Sequence, residues 1–239
     1  MPRFYLDLPL AAGQWLDLPE SVARHVHVLR LREGDLLTLF NGHGGEFDAT
    51  LAALGKKSAQ ARLDGHRPVE RESSLAMTLV QAVSSGERMD YTLQKAVELG
   101  VATIQPVFSE RSVVRLAGER AEKRMAHWQG VLEAACEQCG RNRIPGLRPL
   151  LPFGQWLQAA PADGLRLLLA PGGGTRLRDL PAAGTISLLA GPEGGLTDEE
   201  AAAALAAGWQ PLTLGQRVLR TETAALAAVA ALQTLWGDF

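Results

Sequence analysis

From Leu75 onward, short apolar runs alternate with amphipathic stretches, and several of the runs end at glycines. No other feature limits the possible folds as tightly. Leu75–Val83, Thr103–Phe108, Leu165–Ala170, Thr185–Ala190 and Pro211–Leu214 are mostly apolar, as strands buried on both faces must be. Helical spacing separates them. It covers Glu87–Leu99 (Met89, Leu93, Ala96, Val97) with Gly100 as its stop, Glu119–Cys139 with Gly140 as its stop, Thr197–Ala207, and Thr221–Trp236. Thr197 with Glu200 three residues later predicts a capping box. The alternation predicts a parallel α/β sheet.

The first 70 residues have a different texture. Pro19–Leu29 carries Val22, Val26 and Leu29 at helical spacing. Short β-like runs follow at Asp35–Phe40, Glu46–Leu54 and Ala59–Leu63, with Asn41–Gly45 as a hairpin signal. This predicts a small β-barrel or sheet domain over residues 1–70. The polar stretch Arg67–Ser74 reads as a linker, and residues 75–239 as the second domain. His25, His27, His43 and His66 match no zinc spacing and are expected at the surface.

Composition excludes several classes. The 239 residues are 46% apolar and 21% charged, which is ordinary globular usage. The longest uncharged stretch, Ala201–Gln216, is broken by Gly208 and Pro211 and is too short to span a membrane. Two cysteines, Cys136 and Cys139, supply neither a disulfide framework nor the four ligands of a zinc site. They are expected on the apolar side of their helix, with no metal. With no apolar leader after Met1-Pro2-Arg3, a cytoplasmic location is expected. The net charge of −2 excludes a globally basic nucleic-acid binder, although 20 of the 24 basic residues are Arg, the side chain suited to bidentate phosphate contacts.

Three turns follow strands at the edge where parallel sheets bind ligands. They are Pro171–Gly174, Gly191–Gly195 and the segment from Leu214 to Ala224. None fits a dinucleotide or P-loop pattern. Arg217 and Arg220 lie in the third among apolar neighbours, where a charge needs a partner such as Glu193 or Glu222. The last helix, apolar nearly all round from Ala224 to Leu235, must be buried in the core or against another subunit, and predicts a homodimer.

Gly191-Pro192-Glu193-Gly194-Gly195 followed by Leu214-Gly215-x-Arg217-Val218-Leu219-Arg220-Thr221-Glu222-Thr223-Ala224 resembles the C-terminal signature of the RsmE family. These are bacterial ribosomal-RNA methyltransferases of the SPOUT superfamily. The resemblance extends to Gln94–Val101, Glu110-Arg111-Ser112, Glu133-Ala134-x4-Cys139-Gly140-Arg141 with Ile144-Pro145, Val28-Leu29-Arg30, and Gly42–Phe47. Many members carry Lys where Ser85 stands, so no RNA contact is assigned there.

The resemblance implies an S-adenosylmethionine-dependent enzyme that methylates N3 of a uridine in 16S ribosomal RNA, within the 30S subunit. It implies a PUA-like first domain and a second domain whose C-terminal segment forms a trefoil knot around the cofactor. Uridine N3–H is a weak acid, so the transfer needs a base and a donor for the uracil oxygens. Arg220 suits the donor role, Glu222 the base, and Glu193 is a rival base. Backbone at Leu169, Gly191, Leu214 and Leu219, with Gly194, Gly215 and Val218, is expected to hold the cofactor. RNA contacts are expected from Arg30 and Arg32 with Arg24, from Arg111 with Arg115, Arg120, Lys123 and Arg124, and from Arg141 with Arg143 and Arg148. The alternative is a non-catalytic RNA-binding or ribosome-assembly protein. The intact last-turn signature argues for the enzyme.

Overall fold

The computed structural model describes residues 1–113 and 118–239, which leaves Arg115 outside the described residues. The chain forms two compact units. Met1–Glu72 with Cys136–Ile144 make the first, and Ser73–Ala135 with Pro145–Phe239 the second.

In the first unit, β1 (Arg3–Tyr5), β2 (Trp15–Leu18), helix α1 (Glu20–Val28), β3 (Leu36–Phe40), β4 (Glu46–Leu54) and β5 (Ala59–Arg67) build a five-stranded curled sheet in the order β1-β3-β4-β5-β2. The β4–β5 pair shifts register at Asp48/Ala49 and again at Leu51/Ala53. Such irregularities bend a sheet and increase its twist. Alternate inward residues Leu37, Leu39, Ala49, Leu51, Ala61 and Leu63 meet Val22, Ala23 and Val26 of α1 in one core. The four histidines expected at the surface are all exposed.

The stretch expected as a linker, Arg67–Ser74, contains the boundary between the units, with residues 67–72 in the first and Ser73 and Ser74 in the second. β5 runs on to Arg67, beyond the expected end at Leu63. Glu46 is enclosed, with 1% of its side chain exposed, and pairs with Arg3 at 2.5 Å, Arg67 at 2.6 Å and Arg71 at 3.3 Å. Arg71 also donates to the Gly140 carbonyl, and Arg3 to the Asn142 side chain at 2.6 Å. Asn142 in turn donates to the Val69 carbonyl. The polar composition that suggested a linker therefore serves ion pairs. Burial pushes the Glu46 carboxyl up, but Arg3, Asn142 and Arg71 outweigh it and hold the group below its ordinary range.

The second unit holds β6 (Ala76–Ala82), α2 (Gly86–Glu98), β7 (Thr103–Phe108), most of α3 (Glu119–Cys139), β8 (Gly146–Leu147), β9 (Leu151–Pro152), α4 (Phe153–Ala159), β10 (Leu165–Leu169), β11 (Thr175–Arg176), β12 (Thr185–Ala190), α5 (Asp198–Ala206), β13 (Gln210–Thr213) and α6 (Thr221–Trp236). Its sheet runs β11-β13-β10-β12-β6-β7-β8, with β9 also on β7. All of its pairings are parallel. Val80, Ala82, Leu168 and Leu189 pack with Phe153 and Trp156 of α4, Ala204 of α5, and Trp209. Neighbouring residues Leu79, Leu167 and Leu188 are also buried, so both faces of the sheet are covered. The expected capping box forms at the start of α5, Thr197 Oγ1 accepting from Glu200 N and Glu200 Oε2 from Thr197 N.

Two expectations bear on particular residues, the burial of α6 and the exposure of Arg141. Helix α6 buries one face, with Ala225, Ala228, Val229, Leu232 and Gln233 inside, while Leu235 is 48% exposed. Within this chain it is thus only half covered. Arg141, expected to contact RNA, is 4% exposed and ion-paired with Glu72. Its guanidinium is thus held against a half-buried carboxylate. Cys136 is buried and Cys139 half-buried, and burial pushes the Cys136 thiol up to about 12.

Glu46 should be a major stabiliser of the first unit. Glu46→Ala leaves three guanidiniums facing a lost charge. Two of them are partly solvated, so the expected loss is about 2–3 kcal/mol in urea unfolding at pH 7. The folded carboxyl titrates below the unfolded one, near 4.3. Its stabilisation is complete above that pH and falls as the solution is acidified through the folded value. The variant should therefore show a shallower loss of stability between neutral and acid pH than the parent.

Candidate functional site

Three neighbouring strands, β13-β10-β12, run parallel, so their carboxyl ends share one edge. Each runs into one of the three turns singled out in the sequence. Together the turns enclose a cavity of about 600 Å³, within the range of small-molecule sites. Leu169, Gly191, Gly194, Leu214, Gly215, Val218 and Leu219 all line it, and so do Glu193, Arg220 and Glu222. Ten residues expected to serve one chemistry are thus brought to one wall.

The central turn, Gly191–Gly195, is tight. Gly195 sits at φ +69, and its N–H donates to the Pro192 carbonyl at 2.9 Å. A Cβ on Gly191 would lie 3.1 Å from the Leu196 nitrogen, so only glycine lets the chain turn this closely without a shift. Side chains from three directions hold it. Thr221 Oγ1, at the first turn of α6, donates to the Gly191 carbonyl at 2.5 Å. The fully buried Gln81, near the end of β6, places its Nε2 3.3 Å from the same hydroxyl. Arg111 donates to the Gly194 and Leu196 carbonyls at 3.1 and 3.2 Å.

Arg111, expected on the RNA face, is therefore a member of the cavity wall. Its neighbour Glu110 donates its N–H to Glu200, which explains physically why the Glu110-Arg111-Ser112 motif accompanies the glycine turn. Arg30 and Arg32 remain exposed in the first unit, and Arg30 adopts φ +57, unusual for a residue with a Cβ.

The charges do not pair as expected. Glu193 Oε1 accepts from the Ser85 N–H at 2.8 Å, the Ser85 hydroxyl at 2.7 Å and Arg88 at 3.2 Å. Burial pushes this carboxyl up, but the Ser85 and Arg88 bonds outweigh it and hold it below the usual range. Glu193 Oε1 is thus committed, while its Oε2 is enclosed with no hydrogen-bond partner among the described residues, and Arg220 does not pair with it. Arg217 and Arg220 are exposed rather than packed in a core, and among the described residues neither makes an ion pair. A charge in water needs no partner, which is why the expected pairing is absent. Glu222 Oε2 is enclosed and accepts no hydrogen bond from the described residues. Sequence reasoning missed Arg88 and Thr221 as parts of this wall and Ser85 and Gln81 as its supports. For Gln81, Ser85 and Arg88 the only signal was position at the end of one strand and the start of the next helix, which becomes informative only once β6 is known to lie beside β12.

Among the described residues no cluster of ligands fits a metal ion, and no helix is long and apolar enough to cross a membrane.

Comparison with known proteins agrees with this geometry. Residues 71–233 match the RNA methyltransferase domain family, and residues 18–64 the RNA methyltransferase PUA domain family. The ribosomal RNA small subunit methyltransferase E of Buchnera aphidicola from Schizaphis graminum is 32% identical over 240 residues, covering 100% of this chain and 98% of its own. The crystal structure of the Neisseria gonorrhoeae enzyme of that name, bound to S-adenosyl methionine, superposes with a TM-score of 0.96 at 49% identity, covering 100% of this chain and 99% of its own. A Legionella pneumophila protein solved with bound SAM superposes at 0.94 with 42% identity, over 99% and 98% of the two chains. The chain belongs to the ribosomal RNA small subunit methyltransferase E family.

Proposed function

We propose that this chain transfers a methyl group from S-adenosylmethionine to N3 of a uridine in 16S ribosomal RNA, the target lying within the 30S subunit. The observation that carries the reading is the convergence of three strand-end turns, a solvent-facing Arg220 and an unpartnered Glu222 oxygen on one cavity wall.

The residues fit the cofactor. The cavity is about 600 Å³, mixes apolar side chains with strand-end backbone, and carries carboxylates suited to a cationic sulfonium. Backbone groups of Leu169, Gly191, Leu214 and Leu219 would hold the adenosine, with Gly194, Gly215 and Val218 closing over it. When bound, S-adenosylmethionine supplies an electrophilic methyl group.

Everything else falls to the protein. Glu222 takes the N3 proton, because no donor among the described residues bonds its enclosed Oε2, whereas protonating Glu193 Oε1 would forfeit three bonds. That comparison sets Glu193 aside as the base. Arg220 donates to a uracil carbonyl as N3 loses its proton, which stabilises the charge spreading onto the ring oxygens. The turns fix the acceptor nitrogen in line with the methyl carbon and keep water out.

Residues 1–70 act as the RNA-holding domain, through Arg30 and Arg32, and residues 75–239 carry the transfer. The family's trefoil knot is part of this reading for the C-terminal segment, and a bacterial cytoplasm is its location. The half-covered α6, with Leu235 exposed, supports a homodimer whose second copy buries the open face.

Three measurements test the reading. Incubating the protein with S-adenosylmethionine and 30S particles from cells lacking the activity should yield 3-methyluridine on nucleoside analysis. A 5-methyluridine or ribose-methylated product would overturn the assignment. Arg220→Ala should lower turnover by about 10²–10³ while leaving cofactor affinity nearly unchanged. Arg220→Lys should rescue only in part, since it keeps the charge and loses the planar fork. Near-normal turnover in Arg220→Ala would remove Arg220 from catalysis. Sedimentation at micromolar concentration should give about twice the 25.6 kDa chain mass, and an active monomer would refute the dimer.

A further inference from the structure

Glu193 stands in the glycine turn between β12 and α5, yet all three of its donors come from another place, the N-cap and first turn of α2. Ser85 is the N-cap residue of α2, and its hydroxyl does not cap its own helix. It donates across to Glu193 instead. The carboxylate thereby lies against the first turn of α2, where the positive end of the helix dipole favours an anion. Arg88, one turn into the same helix, adds the third bond and is itself part of the cavity wall.

The two loops leave neighbouring strands, and at Glu193 Oε1 they are joined by three further bonds. Thr221 and Gln81 hold the turn at Gly191, and Arg111 holds it at Gly194 and Leu196, so Glu193 is the side-chain tie of its middle.

We infer that Ser85, Arg88 and Glu193 form a clasp that sets the Gly191–Gly195 turn in its ligand-binding shape before the cofactor arrives. In this account Ser85, Arg88 and Glu193 are positioning residues and the clasp is spent on cofactor affinity. The inference rests on the reading of the cavity as the S-adenosylmethionine site. Its chemical content is that a loop already ordered loses less freedom on binding, so affinity rises without any new contact to the ligand. The low-lying Glu193 carboxyl agrees with this, because the clasp needs the ionised form.

The test uses the full-length chain with Ser85→Ala, Arg88→Ala, Arg88→Lys and the Ser85→Ala/Arg88→Ala double variant. S-adenosylmethionine is titrated calorimetrically, and hydrogen exchange at Gly194 and Gly195 is followed without cofactor. Arg88→Ala should weaken cofactor binding about tenfold, the scale of one lost bond to a charged group. The double variant should lose less than the product of the two single effects, because both act through one oxygen. Exchange at the two glycines should quicken in step with the loss of affinity. At saturating cofactor kcat should fall by no more than about threefold, while KM for cofactor rises. Arg88→Lys should recover much of the affinity, since the contact is single and not bidentate.

Unchanged cofactor affinity in both single variants would overturn the clasp. So would a rise in KM for RNA alone, which would make Arg88 an RNA contact. Slower exchange or a large loss of kcat at unchanged affinity would overturn it as well. If the parent chain takes up no S-adenosylmethionine, the cofactor reading itself falls and the inference falls with it.

Discussion

Parallel pairing of β13, β10 and β12 is the constraint on which the site depends. Parallel neighbours present their carboxyl ends on one side, so each chain exit adds its turn to the same place. Helices must then return the chain across the sheet, which covers both faces and requires nearly uninterrupted apolar strands. The backbone groups at the strand ends have no further ladder partners. They are available to a ligand or must be bonded by side chains. Here both outcomes occur at one turn. Thr221 and Arg111 take the carbonyls of Gly191, Gly194 and Leu196, while the cavity keeps the remaining edge.

Polar side chains in this protein therefore do much of the work that longer strands would do elsewhere. In the first unit, one enclosed carboxylate gathers three arginines and orders the polar segment after β5. In the second, Glu200 closes the capping box of α5 and also accepts the Glu110 N–H. Gln233, buried on α6, donates to the Leu99 carbonyl at the end of α2 and accepts from Ser73. In each case a polar side chain bonds a segment distant in sequence, and Glu46 and Gln233 do so from buried positions. Such bonds add geometric specificity that apolar packing alone does not supply.

What could be read from the sequence divides along that line. Periodicity located the long elements β6, α2, β7, α3, β10, β12 and α6, because burial of a strand or a helix face leaves a repeat in the chain. Strand-end glycines located the cavity wall, since φ +69 at Gly195 and +93 at Gly215 demand them. Short elements such as β8, β9 and β11 span two residues each, too few to show any period. The pairing of charges was not legible. Arg220 had apolar neighbours in sequence but is exposed, Arg141 looked like a surface cation but is buried against Glu72, and Arg67–Glu72 looked loose but carries ion pairs at Arg67, Glu70, Arg71 and Glu72. Charge pairing depends on which strands become neighbours, and a single sequence does not state that order. The family resemblance supplied the chemistry, which no spacing contains.

The two carboxylates of the wall show how one site separates roles by environment. Glu193 and Glu222 are the same side chain on the same cavity, and either could take a proton by chemistry alone. Glu193 has its charge stabilised by two donors of Ser85, by Arg88 and by the start of α2. Protonating it would forfeit those bonds, so its ionised state is built into the fold. Glu222 also lies in the first turn of a helix, α6, where an anion is favoured, but no donor among the described residues reaches its enclosed oxygen. Protonation there breaks no bond within the described protein. The difference arises from the partner strand beside β12, which brings Ser85 and Arg88 to one carboxylate and leaves the other without them. On the proposed reading, neighbouring acids take a structural and a chemical role because protonation would cost one of them three bonds and the other none within the described protein.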